Sequence, residues 1–352
     1  MNILVIRVSA IGDVIHTLPA IFFLKKMHPE IQINWIVQEK AAAILVGQPF
    51  IKAIHVLPNN FLSPKHWKTT IKIIQKLRKT KWDAIIDFQG IEKTTLLMLL
   101  LKGIKFGFNY SNARSSITSF ITNYHDDPCY TNIIQKNLSL ASFVSQKLFY
   151  DKSNPALSEI QKNFYLKIPK KKQTVVSEWI NNHIKNPYII VSPNTTWSSK
   201  HWPLSCWKEL ILTLILQTKL SIILVGSSFG GQAKQIALWS NQKNISLNIS
   251  PSWDLLSIGY LIKKSHLIVA PDTGLLHLAD FLGALSIGIF GPTNAKKHGP
   301  FLSDKNQKNV LQVCCPHLYK KTHSHCKNIE DNNNCMYKLK PNQVYKKILK
   351  TF

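Results

Sequence analysis

Short runs of β-branched and apolar residues alternate with stretches of helical spacing along most of the chain. The run at residues 2–8, for example, leads into a helical pattern over residues 12–27. Alternation with this short period predicts parallel strands whose connecting helices cover both faces of a sheet. The predicted strands are 2–8, 32–37, 53–57, 83–88, 104–107, 188–192, 221–226, 245–249, 266–270 and 285–290; the predicted helices are 12–27, 66–79, 131–149, 204–217, 229–241, 253–263 and 273–283.

The alternation runs through two successive halves, and 352 residues suffice for two domains of ordinary size. The segment 167–173, "KIPKKKQ", interrupts the pattern and is the best linker candidate. The expected organisation is an α/β domain over 1–170, a second over 186–335 and a terminal helix within 336–352. In doubly wound folds of this kind, ligands bind at the carboxyl ends of the strands.

The chain is strongly basic, with 44 Lys and Arg against 18 Asp and Glu and a net charge of +26. Such a charge attracts nucleic acid, an anionic membrane or a phosphorylated substrate. Only Arg7, Arg78 and Arg114 are arginines, so compositional drift toward lysine is an equally open cause of the excess. The basic stretches show no nucleic-acid-binding module with interleaved aromatic residues, so no nucleic-acid partner is expected.

No apolar run reaches the roughly 18–20 residues of a membrane span, and the N-terminus lacks signal-peptide features. A cytoplasmic location is therefore expected. Four of the six cysteines cluster near the C-terminus with three histidines, but their spacing matches no standard zinc motif. No metal and no cofactor are predicted. The cluster comprises Cys314, Cys315, Cys326, Cys335, His317, His323 and His325.

The stretch "IRVSAIGDVIH" places Gly12 and Asp13 where a buried strand becomes a helix. Free backbone N–H groups and the positive end of the helix dipole lie at such a point, and Gly12 allows close approach of a ligand. Two interpretations of Asp13 are open. It is an acid favoured in a first helical turn, or it is a general base at the carboxyl edge of a strand. The stretch lacks the glycines of GxGxxG, which disfavours a dehydrogenase.

Two loops of the second half suit a nucleotide diphosphate and its sugar. "SPNTTWSSKHWPLSCW" at 192–207 combines hydroxyls with Lys200, although an ordinary capped loop has a similar composition. In "LIVAPDTGLLHLADFLGA" at 267–284, Thr273 can cap a helix whose first N–H groups can hold phosphate oxygens. Asp272 has the wrong charge for phosphate and suits sugar hydroxyls, and His277 lies one turn from Thr273 on the same side.

Together these segments resemble the lipopolysaccharide heptosyltransferases, which use ADP-heptose, invert the anomeric configuration and have the GT-B fold of two facing Rossmann-like domains with a cleft between them. The segments "GDVIHTLPA", "IIDFQG", "SNAR", "TTWSSKHWP" and "PDTGLLHLA" occur in that family's order. The resemblance runs from residue 1 to the final helix. "GDVIHTLP" is closest to the type that adds the first heptose to Kdo on lipid A.

The resemblance implies a role for each matched residue. Asp13 is the catalytic base, beside Gly12 on the acceptor side, and Arg114 binds the acceptor. In place of the arginine-rich segment of better-known members, this chain offers Lys65, His66 and Lys68, and the two lysines are the implied acceptor-binding residues. The implied donor-binding residues are Thr195, Thr196 and Lys200 at the diphosphate, Asp272 at the heptose, Thr273 and Gly274 at the phosphates, Trp253 near adenine, and His277.

The implied reaction requires no metal: an acceptor hydroxyl attacks the anomeric carbon, Asp13 takes its proton and ADP leaves from the opposite face. The implied partners are ADP-heptose, Kdo-lipid A and the anionic surface of the inner membrane, with the protein peripheral on its cytoplasmic face. Transfer of the second core heptose, another nucleotide-sugar transferase of this fold, and a non-catalytic nucleotide-sugar-binding protein are the alternatives.

Overall fold

The computed structural model describes residues 1–151, 157–226, 230–315 and 335–352, which form two compact units, Met1–Lys167 and Ile168–Phe352. Each unit contains one six-stranded sheet whose strands are all parallel. The strands of the first sheet are β1 (Asn2–Ile6), β2 (Gln32–Gln38), β3 (Ala53–Leu57), β4 (Ala84–Asp87), β5 (Ile104–Phe108) and β6 (Tyr124–Asp126). Those of the second are β7 (Tyr188–Val191), β8 (Ser221–Leu224), β9 (Asn248–Ile249), β10 (Leu267–Pro271), β11 (Ser286–Phe290) and β12 (Val310–Gln312).

Both sheets have the same strand order. The first runs β3-β2-β1-β4-β5-β6 and the second runs β9-β8-β7-β10-β11-β12, which is the doubly wound order 3-2-1-4-5-6. In the first unit Ile6 of β1 lies between Ile36 of β2 and Asp87 of β4. In the second, Val269 of β10 pairs with both Val191 and Ile287. The predicted α/β class with two Rossmann-like sheets is confirmed.

Helices cover the sheets. In the first unit they are α1 (Ile11–Met27), α2 (Glu39–Ala42), α3 (Trp67–Arg78), α4 (Glu92–Leu100), α5 (Ile133–Phe149) and α6 (Leu157–Asn163). In the second they are α7 (Lys170–His183), α8 (Leu204–Gln217), α9 (Gly231–Gln242), α10 (Leu255–Lys264), α11 (Gly274–Phe281), α12 (Ala295–His298), α13 (Asp304–Lys308) and α14 (Pro341–Leu349). Among these described helices, none is both long and apolar enough to span a bilayer.

Burial on both faces explains the strand sequences. Parallel sheets covered by helices consist of nearly continuous apolar runs, and Ile3 through Ile6 of β1 are fully buried. On one face, Leu4 and Ile6 pack with Leu77 of α3 and with Leu97 and Met98 of α4. This packing places α3 and α4 side by side over the same face of the first sheet.

The structure differs from the sequence prediction at the linker. The helix α7 begins at Lys170 inside "KIPKKKQ", and it belongs to the second unit because Val176 packs in the same core cluster as Leu261 of α10. The terminal helix α14 also belongs to the second unit, where Val344 and Ile348 pack with residues of α8. The helix α4 and the short strands β6 and β12 were not predicted.

Candidate active site

The candidate residues of the first unit follow the carboxyl ends of its strands. Asp13 lies in the first turn of α1, after β1, with Gly12 beside it. Arg114 lies in the loop after β5, and its guanidinium Nη2 is 3.1 Å from Asp13 Oδ2. These two predicted residues, 101 positions apart in sequence, are therefore in contact.

A second arginine, Arg7, holds the other oxygen of the same carboxylate. Its Nη2 lies 3.0 Å from Asp13 Oδ1, and its Nη1 donates a hydrogen bond to the carbonyl oxygen of Phe88. Arg7 is 1% exposed, whereas Arg114 is about half exposed. Of these two cationic partners of Asp13, Arg7 is buried and Arg114 is in contact with solvent.

Burial lowers the pKa of the Arg7 guanidinium, and the negative charge of Asp13 opposes this shift. A buried guanidinium is costly unless an anion and hydrogen-bond acceptors compensate it, so Arg7 and Asp13 depend on each other. The Asp13 carboxylate is accordingly restrained in orientation. A restrained carboxylate at a solvent-accessible edge suits proton transfer to a bound ligand.

The turn after β4 supports this arrangement. Gln89 Oε1 accepts hydrogen bonds from the backbone N–H groups of Val8 and Ser9, at 2.8 and 3.4 Å, and so holds the segment between β1 and α1. The Asp87 carboxylate accepts from the N–H groups of Gln89 and Gly90 and from the Thr94 hydroxyl. Burial raises the pKa of Asp87, against the effect of these hydrogen bonds.

The loop that carries Arg114 is fixed at both ends. The carbonyl oxygen of Gly90, a residue with φ of +60°, accepts from the Ser115 N–H at 2.8 Å. A Cβ at Gly90 would lie 3.5 Å from atoms of Ala113 and from the Arg114 backbone nitrogen. On the other side, Asn112 donates to Asp127 and accepts from Lys136.

The structure does not place Lys65 and Lys68 in a defined contact with Asp13. Both side chains are exposed near the N-terminal end of α3, which follows β3 at the far edge of the first sheet. Because α3 begins at the carboxyl edge, the two lysines lie on the same side of the unit as Asp13 and Arg114. Their role in acceptor binding stays a prediction.

In the second unit, Lys200, Asp272 and His277 form one cluster. Lys200 Nζ lies 2.6 Å from Asp272 Oδ2, and His277 Nε2 lies 3.1 Å from Asp272 Oδ1. Burial alone raises the pKa of the Asp272 carboxyl, but the hydrogen bond to His277 and the charge of Lys200 more than offset it and hold the pKa well below its usual range. His277 is itself buried, so it contacts Asp272 instead of facing open solvent.

The helix α11 begins beside this cluster, with Thr273 at its N-cap and Gly274 as its first residue. The expectation that Thr273 caps the helix is wrong at the side-chain level. Its hydroxyl makes no capping hydrogen bond and is buried without a partner among the described residues. The hydroxyls of Ser199, next to Lys200 in the chain, and of Thr293, in the loop after β11, are also buried without a partner among the described residues. Such orphaned donors beside a helix N-terminus fit phosphate oxygens.

The loop after β7 is anchored by Asn194. Its amide donates to the carbonyl oxygens of Gly226 and Gly230, and its Oδ1 accepts from the Ala233 N–H at 2.8 Å. The next two residues are the predicted diphosphate ligands. Thr195 donates its hydroxyl to the carbonyl oxygen of Trp197, and Thr196 is exposed.

Trp253 lies just before Asp254, which caps α10 through the N–H groups of Leu256 and Ser257. Its ring packs edge-to-face on Trp179 of α7, with centroids 5.4 Å apart. Trp253 therefore belongs to the carboxyl edge of the second sheet, after β9. Contact with adenine stays a prediction.

Part of the cysteine and histidine cluster, His317, His323, His325 and Cys326, lies outside the described residues. Within the described part of the chain, no group of three or more His, Cys, Asp or Glu side chains is arranged to hold a metal. Cys315 and Cys335 are buried in the apolar core of the second unit with Met336.

Sequence reasoning missed Arg7, Asn194, Ser199 and Thr293 as members of these sites. Arg7 had a visible signal, since it is one of three arginines in a chain rich in lysine. Ser199 and Asn194 lie in the loop 192–207 that the motif analysis singled out, but the anchoring role of Asn194 gave no signal, because its partners are backbone groups of a distant loop.

Two Rossmann-like units with acidic and cationic residues at the carboxyl edges of their sheets fit the class of nucleotide-sugar glycosyltransferases. The family model described as glycosyltransferase family 9 (heptosyltransferase) matches residues 70–332. The chain belongs to this family.

Curated relatives agree over most of their length. The chain is 28% identical over 329 residues to lipopolysaccharide heptosyltransferase 1 of Salmonella typhimurium, covering 90% of this chain and 95% of the relative. It is 26% identical to the protein of the same name from Campylobacter coli, covering 83% and 84%.

Solved structures show the same fold. Escherichia coli heptosyltransferase WaaC with ADP matches with a TM-score of 0.75 and 22% identity, covering the whole of both chains. A family 9 glycosyltransferase from Veillonella parvula matches with a TM-score of 0.76 and 17% identity, covering 99% of this chain and 96% of the other.

Proposed function

We propose that this protein transfers heptose from ADP-heptose to Kdo of Kdo-lipid A, the first heptose addition of the lipopolysaccharide inner core. Two relatives that match most of the chain are named lipopolysaccharide heptosyltransferase 1. A structural neighbour was solved with ADP-2-deoxy-2-fluoro heptose. The observation in this chain that carries the proposal is the Asp13 carboxylate held by Arg7 and Arg114.

In the proposed reaction, a bond forms between the acceptor oxygen and the anomeric carbon of heptose while the bond from that carbon to the ADP phosphate breaks. The acceptor proton passes to Asp13. Displacement from the opposite face inverts the anomeric configuration. The first unit thereby supplies the acid–base group.

Arg114 gives a reason for an anionic acceptor. It is a solvent-exposed partner of Asp13, and a sugar-acid carboxylate can accept from its guanidinium as the Asp13 carboxylate does. An acceptor carboxylate that draws Arg114 away removes a cation from Asp13 Oδ2, the oxygen that takes the proton in this proposal. Arg7 stays on Oδ1, because it is buried and tied to Phe88.

The second unit supplies the donor site in this proposal. Lys200 and the free N–H groups at the start of α11 bind the diphosphate, together with the hydroxyls of Ser199, Thr273 and Thr293, which have no partner within the described part of the chain. Asp272, kept ionised by its partners, accepts hydrogen bonds from heptose hydroxyls. Lys200 and the helix N-terminus stabilise the charge that grows on the departing ADP.

A transfer assay tests the proposal directly. The parent protein is offered ADP-heptose, UDP-glucose or GDP-mannose with Kdo-lipid A, and the product is followed by mass spectrometry. We expect a single heptose added from ADP-heptose alone. A product only when the acceptor already carries one heptose would assign the second-heptose reaction, and ADP-heptose binding with no transfer to any acceptor would leave a binding protein.

We also propose that the protein works peripherally on the cytoplasmic face of the inner membrane, since the proposed acceptor is an anionic lipid. The helix α3 and its flanks carry exposed basic side chains, and each contributes about 1 kcal/mol near an anionic surface, less as salt rises. A shallow depression there is lined by Lys72, Gln75, Lys76, Arg78 and Lys79.

Replacing Lys65, Lys68, Lys72 and Lys76 with Gln should reduce sedimentation with anionic vesicles at low salt and leave ADP affinity unchanged. The matched control replaces four exposed lysines of the second unit, Lys185, Lys234, Lys243 and Lys305. Equal losses in the two variants would mean that total charge, and not the α3 lysines, governs attachment.

A further inference from the structure

An apolar surface on the first unit has no role in the core or in the site described above. Three leucines of α4 and two residues of the 3-10 segment Ser116–Phe120 expose large apolar side chains. Phe120 is 84% exposed and Leu99 is 57% exposed. We call this the leucine–phenylalanine surface; its members are Leu96, Leu99, Leu100, Ile117 and Phe120.

The five side chains belong to neighbouring elements. Leu96, Leu99 and Leu100 have the i, i+3, i+4 spacing that places side chains on one helix face. Ile117 and Phe120 are three residues apart in a 3-10 helix, where such positions eclipse. The hydroxyls of Thr95 and Thr118, 2.7 Å apart and buried, join the two elements.

The same two elements use other residues for their packing. Leu97 and Met98 of α4 lie in the core cluster with Leu4 and Ile6, and Thr118 is fully buried. The exposed leucines therefore contribute little to the folded core. A contiguous exposed apolar patch of this kind marks a contact site.

Two features indicate what covers this surface. The basic helix α3 packs beside α4, and it presents exposed Trp67 and Ile71 among its lysines. Leucine and phenylalanine flanked by lysine are typical of segments that lie in a bilayer interface, where the apolar groups enter the acyl boundary and the cations remain among phosphates.

The chain also connects this surface to the acceptor residue. Arg114 lies three residues before Ile117 and six before Phe120, and Ser115 between them is fixed by the hydrogen bond to Gly90. An acceptor sugar attached to a lipid extends only a short distance from the bilayer. A residue that binds such a sugar must therefore lie close to the membrane plane, as it does when the adjoining segment enters the bilayer.

We propose that the leucine–phenylalanine surface inserts into the acyl boundary of an anionic bilayer, while the α3 lysines contact the lipid phosphates. The proposal rests on the proposed function in taking the acceptor to be a lipid whose sugar Arg114 binds. It adds an apolar, salt-resistant component to the electrostatic attraction described above.

The test compares the double variant Leu99→Gln/Phe120→Ser with the parent, on vesicles and monolayers of phosphatidylglycerol and phosphatidylethanolamine. The matched control is Leu216→Gln/Leu238→Ser, which changes two exposed leucines of the second unit. At high salt, where the lysine contribution is screened, we expect the first variant to bind vesicles about tenfold more weakly and to lose monolayer insertion. The control should behave as the parent, and ADP affinity should be the same in all three.

Parent-like monolayer insertion by the double variant would overturn the proposal and leave charge attraction alone. A parent that is dimeric without lipid, with a monomeric variant, would instead make this surface a contact between two copies. Intact insertion with no heptose transfer would support the surface and reject the proposed function. If the double variant misfolds by circular dichroism, Phe120→Ser alone provides the same comparison, because this side chain is almost fully exposed.

Discussion

The two units share one strand order, but the pKa of the carboxyl at the equivalent strand end is shifted in opposite directions. β4 and β10 occupy the same place beside the first strand of their sheets, and Asp87 ends β4 while Asp272 directly follows β10. Burial raises the pKa of Asp87, whereas His277 and Lys200 hold the pKa of Asp272 low in spite of burial.

The difference lies in the partners. Asp87 accepts from two backbone N–H groups of the turn that follows it and from Thr94, so its oxygens are committed to local structure. Asp272 is held by two side chains, and the cation of Lys200 can move to an incoming phosphate. The first arrangement stabilises a turn, while the second suits exchange with a ligand. In the first unit the acid proposed to face the ligand is instead Asp13, which lies on α1 after β1.

The variant with the largest expected effect on this contrast between the units is Asp13→Asn. If chemistry belongs to the first unit and donor binding to the second, this variant should lose about 10²–10⁴-fold in kcat, because no group takes the acceptor proton. Its affinity for ADP-heptose, measured by titration calorimetry, should stay at the parent value. The control is Glu30→Gln, at an exposed acid of the same unit. Parent-like turnover would remove Asp13 from the mechanism.

A smaller loss is expected from Arg7→Met. The buried guanidinium orients the carboxylate of Asp13, and a misplaced catalytic group lowers turnover by about 10–100-fold. Arg7→Lys should recover part of kcat, since lysine restores the positive charge but cannot contact Asp13 and the Phe88 carbonyl through two separate nitrogen atoms. A role in positioning predicts a change in kcat with little change in the KM for donor. A rise in donor KM alone, with kcat preserved, would contradict it.

In the second unit, Lys200→Ala should weaken ADP and ADP-heptose binding alike. Loss of one charged hydrogen bond to phosphate costs about 1.5–3 kcal/mol, or roughly 10–150-fold in Kd. Lys234→Ala, at an exposed lysine of α9, is the control. If only binding of the lipid acceptor were weakened, Lys200 would be an acceptor-binding residue, and donor binding could not be assigned to the second unit through Lys200.

The sequence predicted much of this arrangement because alternating apolar runs report burial directly. The helix 204–217 was placed to the residue, and the segments around Asp13 and Asp272 were placed at the carboxyl ends of strands. The helix α4 was missed because its leucines face both the core and solvent, which removes the helical period. The helix α7 was missed at its start, since "KKK" reads as a linker until Val176 is packed against α10.

Long-range pairing was beyond prediction for a different reason. The hydrogen bonds from Arg7 to Phe88 and from Val8 to Gln89 each join residues 81 positions apart, which only the β1–β4 register brings together. The pairing of Lys200 with Asp272 likewise depends on β7 lying beside β10. Residue type and spacing predicted that basic and acidic side chains lie at the carboxyl edge of each sheet. The strand order determines which of these side chains are in contact.

The smallest expected effect concerns pH and stability, and it tests the contrast between Asp87 and Asp272 itself. The unfolded Asp272 carboxyl has a pKa near 3.8, and the folded one is lower. Its stabilising contribution is therefore complete above the unfolded pKa and is lost as pH falls toward the folded pKa.

The variant Asp272→Asn has no such pH-dependent loss. Its deficit in unfolding free energy relative to the parent at pH 6 should therefore shrink by about 1 kcal/mol at pH 3, since one pKa unit is worth about 1.4 kcal/mol. Urea unfolding at both pH values measures this, with Asp304→Asn, at an exposed acid, as the control. A deficit that is the same at both pH values would mean that Lys200 and His277 do not keep Asp272 ionised, and the contrast with Asp87 would fail.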